Sequence, residues 1–186
     1  MTYLGSTPYL AWSERTVSGY GKIYVRKCSG GSWSTVAGPL NRDSSNGFGF
    51  GAPTITQDGT NLFVTWDEQG NSQTQIASFV APFNNSSMQK DKIFAAQVTT
   101  GGTITYLGGA LNADTNLGSA THPVITILNS QPTIGWGEAN QYNMRQVYAK
   151  SWNGTDWSTV GSGGGPSVGG SVTLGSGKIL GSAVVH

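Results

Sequence analysis

Apolar and polar residues alternate in short runs along most of this chain. In "LFVTWDE" (62–68) Leu62, Val64 and Trp66 fall on one side and Phe63, Thr65 and Asp67 on the other. The same period of two runs through "PYLAWSE" (8–14), "PTIGWGE" (132–138), "KIYVRK" (22–27), "KIFAAQV" (92–98) and "QVYAKSW" (146–152). Alternation of this kind predicts half-buried β-strands. No stretch sustains the 3.6-residue period of a helix, because Gly and Thr interrupt every candidate. The pattern predicts an all-β protein.

The runs are themselves periodic. Trp12, Trp66 and Trp136 each stand two positions before a glutamate, Glu14, Glu68 and Glu138. The step from Trp66 to Trp136 is longer than the step from Trp12 to Trp66. An insertion after Trp66 accounts for the excess. Ile23 and Val147 follow Trp12 and Trp136 at one and the same offset, and Ile93 follows Trp66 at an offset larger by the whole of that excess. Trp33 and Trp157 also share one offset from Trp12 and Trp136, and "GPLN" (38–41) matches "GALN" (109–112). Each unit reads as four strands, a to d. Strand a is "PTITQ" or "PVITI", strand b the Trp-x-Glu run, strand c the Tyr/Phe-bearing run, and strand d "WSTV" or "TITYL". Between c and d, "CSGGSW", "TTGGTI" and "WNGTDW" supply the residues of tight hairpins. Four-strand units of this length are the signature of β-propeller blades.

On this pattern blade 1 covers about 7–41, blade 2 about 52–112 with its insertion at 71–92, and blade 3 about 122–165. Blade 1 is expected to lack strand a. A further a-like segment, "PSVGGSVTLG" (166–175), is expected to complete blade 1, either in the same ring or in a neighbouring copy. Three blades do not close a ring of the usual four to eight. Oligomerisation or further sequence must therefore complete it, and a dimer forming a six-bladed ring is the favoured expectation. The tail 178–186 has no place in this count.

"YLAWSE…IYVRKCSGGSW…PLN" and "PTIGWGE…VYAKSWNGTDWSTVG" resemble the tandem propeller repeats of extracellular bacterial proteins, which are similar to sialidase-type blades with their Asp-box. The likeness runs from about residue 7 to 174. It implies a propeller fold and an extracellular or cell-surface setting. "SWNGTDW" (151–157) departs from Ser-x-Asp-x-Gly-x-x-Trp by one missing residue and by Asn for Asp. Arg15, Arg26 and Arg145 stand at non-equivalent positions, whereas a sialidase needs an arginine cluster, so the resemblance assigns no sialidase activity.

Composition narrows the function. Charged residues make up 10% of the 186, and the net charge is +1, which offers no field for nucleic acid. No apolar run approaches a membrane span. The opening "MTYLGSTPYLAW" lacks the basic start and apolar core of a secretory leader. The lone Cys28 allows no intrachain disulfide. His122, His186 and Cys28 are spaced too far apart for a metal site, and no Gly-rich phosphate loop opens a helix, so neither metal nor cofactor is expected.

Recurrence argues for structure. Trp12, Trp66 and Trp136 are expected between blades, with Trp33 and Trp157 as hairpin residues. Glu14, Glu68 and Glu138 are expected to accept hydrogen bonds from a neighbouring loop's amides. Aromatic residues on the loop face are the candidates for binding: Tyr20 and Tyr142, whose equivalent b–c loops suit one site per blade, Phe48 and Phe50, and Phe79 and Phe83 of the insertion. The insertion's apolar residues must pack on the propeller, a partner or a ligand. The expected function is a non-enzymatic module that binds a glycan or a protein surface. The alternatives are a fragment of a glycoside-acting enzyme, with acids drawn from Asp67, Glu68 or Asp114, and a purely structural assembly module.

Overall fold

The computed structural model describes residues 1–15, 21–42, 48–49, 53–69, 91–114, 119–139 and 145–160. Among them every regular element is a strand. β1 (Thr2–Leu4), β2 (Thr7–Arg15), β3 (Gly21–Ser29) and β4 (Ser32–Ala37) form one antiparallel sheet in that order. β10 (Ser119–Leu128), β11 (Gln131–Ala139), β12 (Arg145–Trp152) and β13 (Trp157–Thr159) form a second. Between them lie β5 (Phe48–Gly49), β6 (Thr54–Gln57), β7 (Leu62–Gln69), β8 (Lys92–Val98) and β9 (Ile104–Tyr106). In this sheet β5 and β6 both pair with β7, so its edge strand comes in two pieces. These three sheets are blades of a β-propeller.

The repeat register is preserved in space. Trp12 pairs with Tyr24, Trp66 with Phe94 and Trp136 with Tyr148 across strands b and c. Because side chains alternate across a strand, each blade has two distinct faces. Leu62, Val64 and Trp66 join Tyr9, Ala11, Ile23 and Val25 of blade 1 in one core. Phe63, Ile93 and Ala95 join Ile134 and Trp136 of blade 3 in a second. Blade 2 is thus covered on both sides, and every β7 residue from Leu62 to Glu68 is buried. The a strands are neighbours, with β6 beside both β1 and β10. Thr54 Oγ1 links two of them, donating to the Pro123 carbonyl and accepting from the Ile125 amide, both at 3.1 Å.

The structure corrects the strand count of blade 1. Its edge is held by β1, which pairs with β2 from Thr2↔Tyr9 to Leu4↔Thr7. The hairpin turns at Gly5, whose φ of 61° suits a residue without a Cβ. Blade 1 therefore carries its own strand a. The edge where a strand from 166–175 is expected to complete blade 1 is held by β1, beside Thr7–Tyr9, and 166–175 itself lies outside the described residues. Strand a also starts earlier than its sequence pattern in the other blades, at Phe48 in blade 2 and at Ser119 in blade 3. In blade 3 it continues through a bulge between Thr121 and Val124, where His122 has φ 55°.

One tryptophan departs from the expectation of burial between blades. Trp66 and Trp136 are fully buried. Trp12 is only half-buried, because it lies on the face of blade 1 that blade 2 does not cover.

Candidate functional site

The recurrent glutamates sit at the joints between blades. Trp66 Nε1 donates to Glu68 Oε2 at 3.0 Å, and the Arg42 amide of blade 1 donates to the same oxygen at 2.9 Å. In blade 3, Trp136 Nε1 and the Ala113 amide both donate to Glu138 Oε2 at 2.8 Å, and the Asp114 amide donates to Oε1 at 2.8 Å. Each glutamate therefore ties its own tryptophan to the loop leaving the preceding blade. Those loops are held by their asparagines. Asn41 accepts from the Ile23 amide at 3.0 Å and donates to the Gly21 carbonyl at 3.1 Å. Asn112 accepts from Ile93 and donates to Asp91, both at 3.0 Å. The shared "LN" of 40–41 and 111–112 is this clamp.

Cations and phenols line the same joints. Lys150 Nζ donates to the Leu111 carbonyl at 2.9 Å and lies 5.8 Å from the Trp136 ring centroid. Burial holds its ammonium below the ordinary lysine range, opposed by Glu138 and Asp156. Burial likewise pushes the Tyr148 hydroxyl up, and Glu138 and Asp114 add to it. For Tyr106 burial raises the value and Arg42, whose guanidinium lies 4.5 Å from the ring centroid, opposes it.

The opposite edge of the blades, where the a–b and c–d turns lie, carries a crevice between blades 2 and 3. It is lined by Phe63 and Gln97 of blade 2 and by Gln131, Pro132, Trp152 and Asn153 of blade 3. Phe63 is buried there, and Trp152 is half-buried with Trp157 5.4 Å away, centroid to centroid. Trp157 Nε1 donates to the Leu107 carbonyl at 2.7 Å, which fixes the wall to blade 2. The c–d turn is stapled by Asn153, whose Oδ1 accepts from the Thr155 and Asp156 amides at 2.9 and 2.8 Å. This is the "SWNGTDW" segment, and Asn153 does its stapling through backbone amides. The arrangement presents the half-buried Trp152 ring, backed by the buried Phe63, beside the side-chain amides of Gln97 and Gln131 and the NH2 group of Asn153, a set that suits apolar C–H faces bordered by hydroxyls.

Of the residues singled out for binding, Tyr20, Phe50, Phe79, Phe83 and Tyr142 lie outside the described residues. Phe48 is described by its backbone alone, paired with Gln69 in β5. Of the candidate acids, Asp67 and Glu68 are buried and Asp114 is exposed, and Glu68 is engaged in the joint described above. Among the described residues no group of three or more His, Cys, Asp or Glu could hold a metal, and no helix is long and apolar enough to cross a membrane.

Sequence reasoning passed over Phe63, Gln97, Trp152 and Asn153. Their signal is departure from the repeat. Phe63 stands where blade 3 has Thr133, and Trp152 stands where blade 1 has Cys28 and blade 2 has Val98.

No family model matches the chain, and no curated protein matches it. Among solved structures, the fold is similar to that of an α-L-arabinanase from Penicillium chrysogenum, solved in complex with arabinobiose. The TM-score is 0.51 at 12% sequence identity, with 84% of this chain and 45% of that chain covered. The chain thus spans less than half the length of that enzyme. The likeness supports a propeller fold and gives no support to a sialidase-type assignment.

Proposed function

We propose that this partial propeller binds carbohydrate in the crevice between blades 2 and 3. One observation carries the reading: Trp152 and Phe63 line a groove together with the amides of Gln97, Gln131 and Asn153. Sugar rings present C–H faces that pack on aromatic surface, and amides both donate to and accept from hydroxyls. The recurrent glutamates also favour binding over catalysis, because Glu68 and Glu138 already accept tryptophan and backbone N–H groups.

The test is a glycan array followed by calorimetric titration, with arabinobiose among the ligands. Trp152→Ala is expected to raise Kd about tenfold or more, and Gln97→Ala a few-fold. Unchanged affinity in Trp152→Ala, with loss of binding in Tyr142→Ala, would move the site to the b–c loops.

The arabinanase likeness favours a second reading, a portion of a glycoside-acting enzyme. Hydrolysis needs two carboxyl groups about 5–10 Å apart across the scissile bond, and Asp67 and Asp114 are its candidates. Release of chromophore from a panel of aryl glycosides, abolished by Asp114→Asn, would establish it. A chain that neither binds glycan nor hydrolyses glycosides is a structural module. A glycan-binding role fits an extracellular or cell-surface setting, which fractionation of the source cells tests.

A further inference from the structure

Each internal joint has two halves. The receiving half is the b-strand face bearing the tryptophan, as in blades 2 and 3. The inserting half is the opposite face of the preceding blade. Blade 1 carries a receiving half that no described residue of this chain fills, and blade 3 carries an inserting half with the same lack.

Exposure marks both. Met1, Tyr3 and Trp33 are 68%, 55% and 44% exposed. By strand register all three share the face of Leu10, Trp12 and Tyr24. The fourth exposed large apolar residue among those described is Val147, at 45%. It lies on the opposite face of blade 3, at the position where Ile23 and Ile93 are fully buried by the next blade.

Polar groups mark the receiving half independently. Glu14 is exposed, and among the described residues it accepts no amide, unlike Glu68 and Glu138. Arg26 occupies the position of Lys150, which donates to a carbonyl of the preceding blade. Its Nε is buried without a hydrogen-bond partner. Trp33 occupies the position of Trp157, whose Nε1 donates to the Leu107 carbonyl of the preceding blade. The carbonyl equivalent to Leu107 in blade 3 belongs to Val160, since both residues donate their amides to matching strand c carbonyls, Ala95 and Ala149.

We infer that the free face of blade 1 receives the free face of blade 3 from a second copy of this chain, head to tail. In that joint Trp33 Nε1 donates to the second copy's Val160 carbonyl, and Val147 is covered as Ile23 and Ile93 are. The joint continues the two internal ones in register and chemistry, which is why a blade, and not a helix or a peptide, is the occupant. Repeating the contact at both ends of two copies closes a ring of six blades, within the usual four to eight, whereas three copies would give nine. This reading is independent of where glycan binds.

Light scattering on the purified 186-residue chain at ~10 µM, well above the Kd typical of stable interfaces, tests it. The expected mass is twice the 19.4 kDa of one chain. Trp33→Glu and Val147→Arg, both at exposed positions, are each expected to give a single-chain mass with an unchanged far-ultraviolet dichroism spectrum. Should Trp33→Glu fail to fold, Tyr3→Lys tests the same face. An equimolar mixture of the Trp33 and Val147 variants is expected to regain the doubled mass through its one intact joint. A wild-type chain of single mass overturns the inference. So does a Val147→Arg chain that keeps the doubled mass, since that would mean pairing of two like faces.

Discussion

Glu138 accepts three N–H groups, one from the Trp136 indole and two from the main chain of blade 2. Hydrogen bonds to a charged acceptor are worth more than neutral ones, and their loss leaves donors without partners. Glu138→Ala is expected to destabilise the protein by about 3 kcal/mol in urea titrations. Trp136→Ala removes a fully buried indole and is expected to cost about 3–5 kcal/mol. A different carboxylate gives a pH signature. Asp58 sits in the β6–β7 turn, where Oδ1 accepts from the Thr60 and Asn61 amides at 2.8 and 2.7 Å. Burial works to raise its pKa, but those amides outweigh it and hold the group below its ordinary 3.8. A depressed folded-state value means stability that is present above the unfolded pKa and lost as pH falls through the folded one. The Tm difference between wild type and Asp58→Asn is therefore expected to be full near neutral pH and to shrink below 3.8. A difference that stays constant down to pH ~2 would show that the turn does not depend on the charge.

Turns between strands also carry the joints. Gly102, in the c–d turn of blade 2, has φ 93°, and a Cβ there would run into the Val36 carbonyl of blade 1. Gly59 has a similar φ of 97° but open space around it. Gly102→Ala is expected to lower Tm more than Gly59→Ala, because only the first adds a clash between blades to the cost of the backbone conformation. Differential scanning calorimetry on the pair separates the two contributions. Strands b and c were legible from sequence because Leu62–Glu68 and Lys92–Val98 alternate over enough positions to set a period. Strand a was not. In blade 1 it is Thr2–Leu4, too short to show alternation. In blade 3 the pattern begins at Pro123, a residue suited to the first position of a strand, whereas the strand itself starts at Ser119 and runs through His122. The bulge between Thr121 and Val124 is what lets it continue.

Stacked blades share cores, so blade 2 cannot loosen without uncovering both neighbours. Trp66 belongs to one core and Trp136 to the other. Unfolding of Trp66→Ala and Trp136→Ala is expected to follow a single transition by both tryptophan fluorescence and far-ultraviolet dichroism. Separate midpoints would show that the blades melt singly, as repeat arrays can. The stacking was legible in the recurrence of the tryptophans, but the alternation read as half-buried strands, and the burial of both faces of β7 shows only in three dimensions. The crevice was not legible, because alignment of repeats draws the eye to what recurs, and Phe63 and Trp152 are where the copies differ. Its two walls, moreover, come from different blades and meet only in three dimensions.

The joints have one more consequence. Glu68 and Glu138 hold the preceding blade through main-chain N–H groups, at Arg42 in one case and at Ala113 and Asp114 in the other. A grip on the peptide backbone is indifferent to which side chains the neighbour carries. A gene that copied one blade in tandem would carry that grip into the new seam unchanged, leaving only the packing of the shared core to be adjusted. Divergence could then proceed freely along the rims while the grip stayed the same.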